Sequence, residues 1–209
     1  MMAESLPNKV EIRPATPADL SAISRIMNYP PEPPMATILG AERASRLRDI
    51  FVRAGISLKL DHSVVAVLDG AVAGVMECGG RSGPSTGASS YLRLLPRILL
   101  VLGPVTPRAV RGFWLRRRLQ FEPIPDAFAI GELYVDEAMR NRGIGGRLLS
   151  HADDLAHGKW SRMCIETGIT NPARRLYERH GFEVIETKTD ARYERLTGSP
   201  GRILMTKDV

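Results

Sequence analysis

Apolar and polar positions along this chain alternate in short bursts, and between the bursts the apolar ones recur every three or four residues. Val10 to Arg13 alternates as a short strand, and Thr16-Pro17-Ala18-Asp19 follows with an N-cap, a proline at the first helical position and an acid at the third, so a helix starts there. A second helical pattern spans about Ala36 to Ala54 and meets Gly55, suited to a left-handed cap. The runs SVVAVL and AVAGVMEC are joined by Asp69-Gly70, which predicts a β-hairpin. Gly79 to Ser90 is rich in glycine and serine and predicts a loop. It is followed by a basic, apolar segment from Tyr91 to Phe121, in which Gly103-Pro104 ends one piece and Thr106-Pro107 starts a helix.

Beyond this insertion the pattern becomes regular again. Phe128 to Val135 predicts a strand, and a glycine-rich turn leads into a helix with Ile144, Leu148, Ala152 and Leu155 on one face, ending at Gly158. Arg162 to Thr167 predicts another strand. Asn171-Pro172 caps a short helix carrying Ala173, Leu176 and Tyr177 on one face and stopping at Gly181, and FEVIET and RILMTK predict two closing strands. The order β-α-α-β-β-insert-β-α-β-α-β-β combines antiparallel hairpins with a β-α-β unit, so the sheet is expected to be mixed and the class α+β or α/β.

At 209 residues, 44% of them apolar and 25% charged, the chain suits one globular domain over residues 1–209, with residues 79–121 as a loop plus helical insertion. The 29 basic residues exceed the 23 acidic ones, a net charge of +6 that favours anionic ligands without selecting one. Aromatic residues are only 6% and no basic run is interleaved with them, which argues against nucleic acid. Cys78 and Cys164 lie in apolar strands, where buried thiols are expected, and two cysteines suit a reducing compartment. The N-terminus lacks a basic segment followed by an apolar one, and no run of about 18 apolar residues occurs. The expectation is a cytoplasmic chain.

The candidate chemistry lies in RNRGIGGRLL, Arg140 to Leu149. A strand that enters a glycine turn and then a helix presents free main-chain N–H groups at the positive end of the helix dipole, which makes an anion site. Arg140, Arg142 and Arg147 add charge, and side chains at Gly143, Gly145 or Gly146 would hold a phosphate away from the amides. The competing reading of these glycines is close helix–strand packing. A P-loop is excluded because no Lys-Ser or Lys-Thr follows, and a dinucleotide fingerprint because Leu148 stands where glycine is needed. None of the histidines, His62, His151, His157 and His180, has metal-ligand spacing, and no metal is expected.

The stretch LYVDEAMRNRGIGGRLL resembles the Gln/Arg-x-x-Gly-x-Gly/Ala signature of the GNAT superfamily of acyl-CoA-dependent N-acetyltransferases. About thirty residues later, NPARRLYERHGF resembles that family's second motif, and IRPATPADL its first strand and helix. The resemblance implies a mixed, mostly antiparallel sheet flanked by helices, with acetyl-CoA as cosubstrate. It implies a diphosphate held by Asn141, Arg142, Gly143, Ile144, Gly145 and Gly146, with Arg140 and Arg147 at the rim. The pantetheine arm would lie along Leu133, Tyr134 and Val135, where the edge N–H groups of Leu133 and Val135 can pair with it. Asn171 is a further cofactor candidate or simply the helix cap, because it lies six residues before Tyr177 where the family commonly has seven. The segment Gly79 to Phe121 also departs from the family, which usually has a short turn there.

The activity so implied is transfer of an acetyl group to a primary amine of a small molecule or peptide by direct attack in a ternary complex. An alkyl amine of pKa ~10.4 is protonated at neutral pH, so a base is required, and Glu132 and Glu166 on the central strands are the candidates. Tyr177 would stabilise the leaving thiolate by a hydrogen bond, the phenol of pKa ~10 being too weak an acid for full transfer to a thiolate of ~8.5. The alternative is a catalytically silent CoA-binding sensor or interaction module. A homodimer and contact with a membrane surface stay open.

In the insertion, helical spacing gathers Val110, Phe113 and Trp114 with Arg117 in their midst. Three readings follow: a lid whose arginine stem packs on the apolar face, an Arg117 that meets a substrate carboxylate or phosphate over the acceptor cleft, or a basic amphipathic helix on an acidic membrane surface.

Overall fold

A computed structural model describes residues 10–27, 34–54, 58–80 and 88–209. Strand β1 (Glu11–Pro14) leads through a 3-10 turn (Pro17–Asp19) into helix α1 (Leu20–Met27). Asp19 fixes this corner: its carboxylate accepts from the Thr16 N–H and hydroxyl, each at 2.8 Å, and from both terminal nitrogens of Arg13 at 2.8 Å. The Arg13 hydrogen bonds hold the Asp19 carboxyl far below the usual range.

The helix expected over Ala36 to Ala54 is two helices, α2 (Pro34–Leu39) and α3 (Ala41–Arg53). Gly40 breaks it with φ 82° and ψ 151°, a conformation that only glycine adopts without strain. The expected cap at Gly55 lies outside the described residues. Strands β2 (Ser63–Leu68) and β3 (Ala71–Gly80) form the predicted hairpin, Asp69 and Gly70 both at positive φ as a type I′ turn requires. Strand β3 continues through Gly79 and Gly80, and helix α4 (Ala88–Leu102) already includes Ala88 to Ser90, so both ends of the loop expected from Gly79 to Ser90 belong to regular elements and the rest of it lies outside the described residues. Helix α5 (Thr106–Arg118) follows after Gly103–Val105.

The remainder runs β4 (Ala127–Val135), α6 (Ile144–Ala156), β5 (Arg162–Gly168), α7 (Arg174–Arg179), β6 (Glu183–Thr189), α8 (Ala191–Thr197) and β7 (Gly201–Asp208). Helix α8 was not expected, although the sequence carries its signals: the Asp190 carboxylate accepts from the Arg192 and Tyr193 N–H groups, and Gly198 closes it at φ 77°.

The seven strands form one mixed sheet in the order β1-β2-β3-β4-β5-β7-β6, antiparallel throughout except for the β4–β5 pair. Helix α6 buries Ile144, Leu148 and Ala152 against Phe128, Ile130, Met163 and Ile165 on one face. Helix α1 buries Ile23, Ile26 and Met27 against Val65 and Val75 on the other. Cys78 and Cys164 are buried free thiols, as expected, and burial lifts the Cys78 pKa to about 11. A third cluster joins Ile38, Leu39 and Leu47 of α2 and α3 to Leu102 of α4, anchoring the insertion on the N-terminal helices.

Candidate active site

Two irregularities in the central strands create the site. Strands β4 and β5 pair in parallel from Ala127–Arg162 to Ile130–Ile165, and there the pairing stops. Against β3, the register shifts at the same level: Cys78 lies opposite Ile130 and Glu77 opposite Glu132, which leaves Gly131 as the extra residue of a bulge. Residues Gly131 to Val135 therefore have a partner strand on one side only. The Asp136 N–H donates to the Ala73 carbonyl at 2.9 Å, so by strand alternation the Tyr134 N–H also points at β3, while those of Leu133 and Val135 point into the gap beside β5. Of the three edge residues, Leu133 and Val135 thus offer main-chain donors to a ligand. Tyr134 turns its main chain to β3 and its side chain to the opposite face.

The glycine turn follows at the end of β4. Asn141 and Gly143 both have positive φ, 61° and 75°, and α6 begins at Ile144. Arg147 makes the first helical bond, its N–H donating to the Gly143 carbonyl at 3.0 Å, so the amides ahead of it are the orphan donors of a helix start. Arg140, Asn141, Arg142, Gly143 and Arg147 are exposed around them. The three glycines divide in purpose. A Cβ on Gly143 would meet nothing within 4 Å, whereas one on Gly145 would lie 2.9 Å from Leu176 Cδ2 and one on Gly146 3.4 Å from the His180 ring. Close packing thus explains Gly145, a Cβ on Gly146 would make ordinary contact with the His180 ring, and Gly143 faces open space beside the free amides. Ile144 points inward and is fully buried in the α6 core.

The bulge also decides where the acids lie. Phe128 and Ile130 face α6, but beyond Gly131 the parity inverts: Leu133 and Val135 take that face, and Glu132 and Tyr134 turn to the α1–α3 side. Arg48 of α3 donates to the Tyr134 hydroxyl at 2.9 Å, and Tyr134 hydrogen-bonds Glu132. Burial raises the Glu132 pKa, opposed by the positive charges of Arg48, Arg116 and Arg202. Burial likewise raises that of Glu77 directly across the strand pair, against a hydrogen bond from the Lys59 N–H at 3.2 Å. Burial also raises the Tyr134 phenol. Glu166 lies on the same side of the sheet as Glu132 and forms an ion pair with Arg202 at 3.5 Å. Arg48, Glu77, Arg116 and Arg202 come from α3, β3, α5 and β7, and no local sequence signal marks them.

Tyr177 on α7 is 3% exposed and lies in the α6-side core, its ring edge-on to Phe182 at 6.3 Å. Asn171 holds the turn into α7: its Oδ1 accepts from the Ala173 N–H at 2.9 Å and its Nδ2 donates to Thr167 Oγ1 at 2.7 Å. Asn171 thus braces the turn that precedes α7, whose own N-cap is Ala173. The buried face of α5 differs from the one that gathers Val110, Phe113 and Trp114. The helix buries Gly112, Leu115 and Leu119, while Val110, Phe113, Trp114 and Arg117 face solvent. Gly112 lets α5 lie against Ile38, and this contact turns the arginine at 116, not the one at 117, toward Glu132. Among the described residues no group of His, Cys, Asp or Glu is placed to hold a metal.

Residues 111–184 match the family described as acetyltransferase (GNAT) domain, a span that includes the bulge, the glycine turn and Tyr177. No curated protein matches the sequence significantly. Solved structures match along nearly the whole chain. An acetyltransferase is 23% identical, with 95% of this chain and 99% of that one covered and a TM-score of 0.54. An N-acetyltransferase from Staphylococcus aureus Mu50 is 18% identical over 94% and 99%, TM-score 0.65. The PaiA N-acetyltransferase from Thermoplasma acidophilum, in complex with coenzyme A, is 16% identical over 96% and 99%, TM-score 0.53. At such identities the likeness speaks for the fold, and the family match speaks for the segment that carries the glycine turn. Residues 111–184 of this chain are therefore similar to a GNAT acetyltransferase domain, and the chain as a whole shares its fold with solved acetyltransferases.

Proposed function

We propose that the chain is a single-domain N-acetyltransferase that uses acetyl-CoA to acetylate a primary amine of a small molecule or peptide. The observation that carries this reading is the parting of β4 from β5 beyond Ile130 and Ile165, which leaves a strand edge of free donors leading to the exposed amides of the α6 start. That geometry fits an extended, amide-bearing arm ending in a diphosphate. Residues Asn141 to Gly146, with Arg140 and Arg147, would hold the diphosphate, and each charge-assisted bond contributes roughly 1.5–3 kcal/mol. The N–H groups of Leu133 and Val135 would hold the arm, and one of them can polarise a carbonyl without any side chain.

Bound acetyl-CoA would supply an acetyl group activated as a thioester. Glu132 is the better base of the two candidates: burial favours its protonated form, so it accepts a proton readily, whereas Glu166 is paired to Arg202. Glu132 removes one proton from the acceptor ammonium, the freed nitrogen attacks the thioester carbonyl, and the carbon–sulfur bond breaks as the nitrogen's second proton passes to the leaving thiolate, which departs as the thiol. Tyr177 hydrogen-bonds the departing sulfur from the α7 side. The two buried free thiols suit a cytoplasmic location.

Free-thiol release from acetyl-CoA across a panel of primary amines tests the reading. Release above background with an acceptor amine, lost in Glu132→Gln, is the expected result. A protein that binds CoA but releases no thiol with any amine is the silent binder instead. One that ignores CoA in calorimetry ends both readings.

A further inference from the structure

Helices α4 and α5 leave more large apolar side chains in solvent than the fold uses. Leu92 is 68% exposed, Leu100 85%, Phe113 67% and Trp114 52%, and Leu95, Leu99 and Val110 are exposed beside them. These are not residues awaiting a core, because the inward faces are already packed. Leu102 joins Ile38, Leu39 and Leu47, and Leu115 and Leu119 join Tyr193 of α8.

The charge that these two helices themselves carry has one sign. From Ala88 to Phe121 the chain has seven arginines and no acidic residue, and all seven arginines are exposed. By helical spacing, Arg93 and Arg97 border the outer row of α4, while Arg111 and Arg118 border that of α5 and Arg117 stands within it. The Arg118 guanidinium lies 4.6 Å from the centre of the Trp114 ring. The surface complementary to exposed leucine and aromatic side chains edged by arginine is apolar within and anionic at its rim.

We propose that the outer faces of α4 and α5 dock on an anionic lipid membrane, lying in the interface plane with the leucine, phenylalanine and tryptophan side chains in the headgroup–acyl boundary. Tryptophan stacked with arginine suits that boundary, where one end of a side chain is apolar and the other wet.

The stretch Leu92–Arg118 is long and apolar enough by composition to cross a bilayer, yet its geometry opposes crossing. Helix α4 has 15 residues, about 22 Å at 1.5 Å per residue, short of a hydrocarbon core of roughly 30 Å. Gly103-Pro104 interrupts the stretch, and α5 is held against α2 and α8 by its buried side. A two-fold contact between copies would set like patches, and so arginine against arginine, which disfavours self-association.

The test is sedimentation of the full chain with vesicles of phosphatidylcholine alone and with added phosphatidylglycerol, at low and moderate salt, with tryptophan emission as a second readout. Binding to the anionic vesicles, weakening with salt, and none to the neutral ones is expected. The double variant Leu99→Ser with Phe113→Ser lowers the partition coefficient by at least about tenfold. Arg111→Ala and Arg117→Ala lower it about fivefold each. CoA binding and melting temperature, measured in parallel, show that the variants are folded and that the cofactor site is unaffected. Failure to sediment with anionic vesicles at low salt overturns the proposal and leaves an acidic protein as the occupant. Equal binding to neutral vesicles, or unchanged binding of the variants, also overturns it. So does a solution dimer that the serine variant splits.

Discussion

Replacing Gly143 and Gly145 separately by alanine distinguishes a glycine kept for a ligand from one kept for packing, and the experiment needs no knowledge of the acceptor. Gly143 sits at φ 75°, so alanine there costs about 1 kcal/mol of stability through the left-handed backbone alone. Its Cβ would meet no protein atom within 4 Å and would project beside the free amides of the α6 start. If a diphosphate is held there, displacing it from even one charge-assisted amide bond removes about 1.5–3 kcal/mol, which weakens CoA roughly tenfold to a hundredfold. At Gly145 the methyl would lie 2.9 Å from Leu176 Cδ2, the movable end of a side chain, on the protein side of the helix. There the helix preference of alanine over glycine, about 1 kcal/mol, offsets the crowding. Gly145→Ala should therefore melt within a few degrees of the parent and bind CoA within about threefold, since a change under 1 kcal/mol moves Kd by less than about fivefold. Titration calorimetry with CoA and thermal melts of both variants measure this. Parent-like CoA affinity in Gly143→Ala, or an equal loss in Gly145→Ala, would refute the assignment of the turn.

The same geometry carries three more expectations. Glu132→Gln should lower turnover roughly 10²–10⁴-fold and abolish the rising limb of the pH–rate profile. Because burial raises the Glu132 pKa, its ionisation opposes folding: that penalty is absent below the unfolded value of about 4.3 and grows as pH rises through the folded one. The glutamine variant should accordingly melt higher than the parent at neutral pH and not at pH 4, and a lower melting point at neutral pH would contradict the burial argument. Tyr177→Phe should reduce turnover with little loss of CoA binding, and unchanged turnover would remove Tyr177 from the chemistry. Asp19→Ala breaks the paired bonds from Arg13 and the contacts with Thr16, and should cost about 2–4 kcal/mol in denaturant unfolding. Since the folded Asp19 pKa is depressed, this difference is present above about pH 4 and shrinks as pH falls further, so a difference that grew on acidification would count against the pair.

Most helices and strands were legible because their signals are local. Asp69-Gly70 needs only its own two positive φ angles to turn a hairpin, Pro107 suits the first turn of α5, and Asn171 braces the turn into α7 through the Ala173 N–H. The Gly40 break and helix α8 carried local signals too, but weaker ones: a glycine within a helical pattern is usually tolerated, and Asp190 with Gly198 frames only two turns of helix.

What the sequence determined by itself was the order of elements, the glycine turn with its arginines, and the two central glutamates as candidate bases. Which side each group faces was decided only in three dimensions. A single extra residue at Gly131 inverts the alternation of β4 and sends Glu132 and Tyr134 away from α6, and it does so through a register against β3 that no window of β4 contains. The contact of Gly112 with Ile38, more than seventy residues apart in the chain, sets the rotation of α5, and it is Arg116 rather than Arg117 whose charge acts on Glu132. Periodicity fixes the angles between side chains on one element, whereas burial against other elements fixes where that set of angles points, and only the packed sheet and helices supply the second.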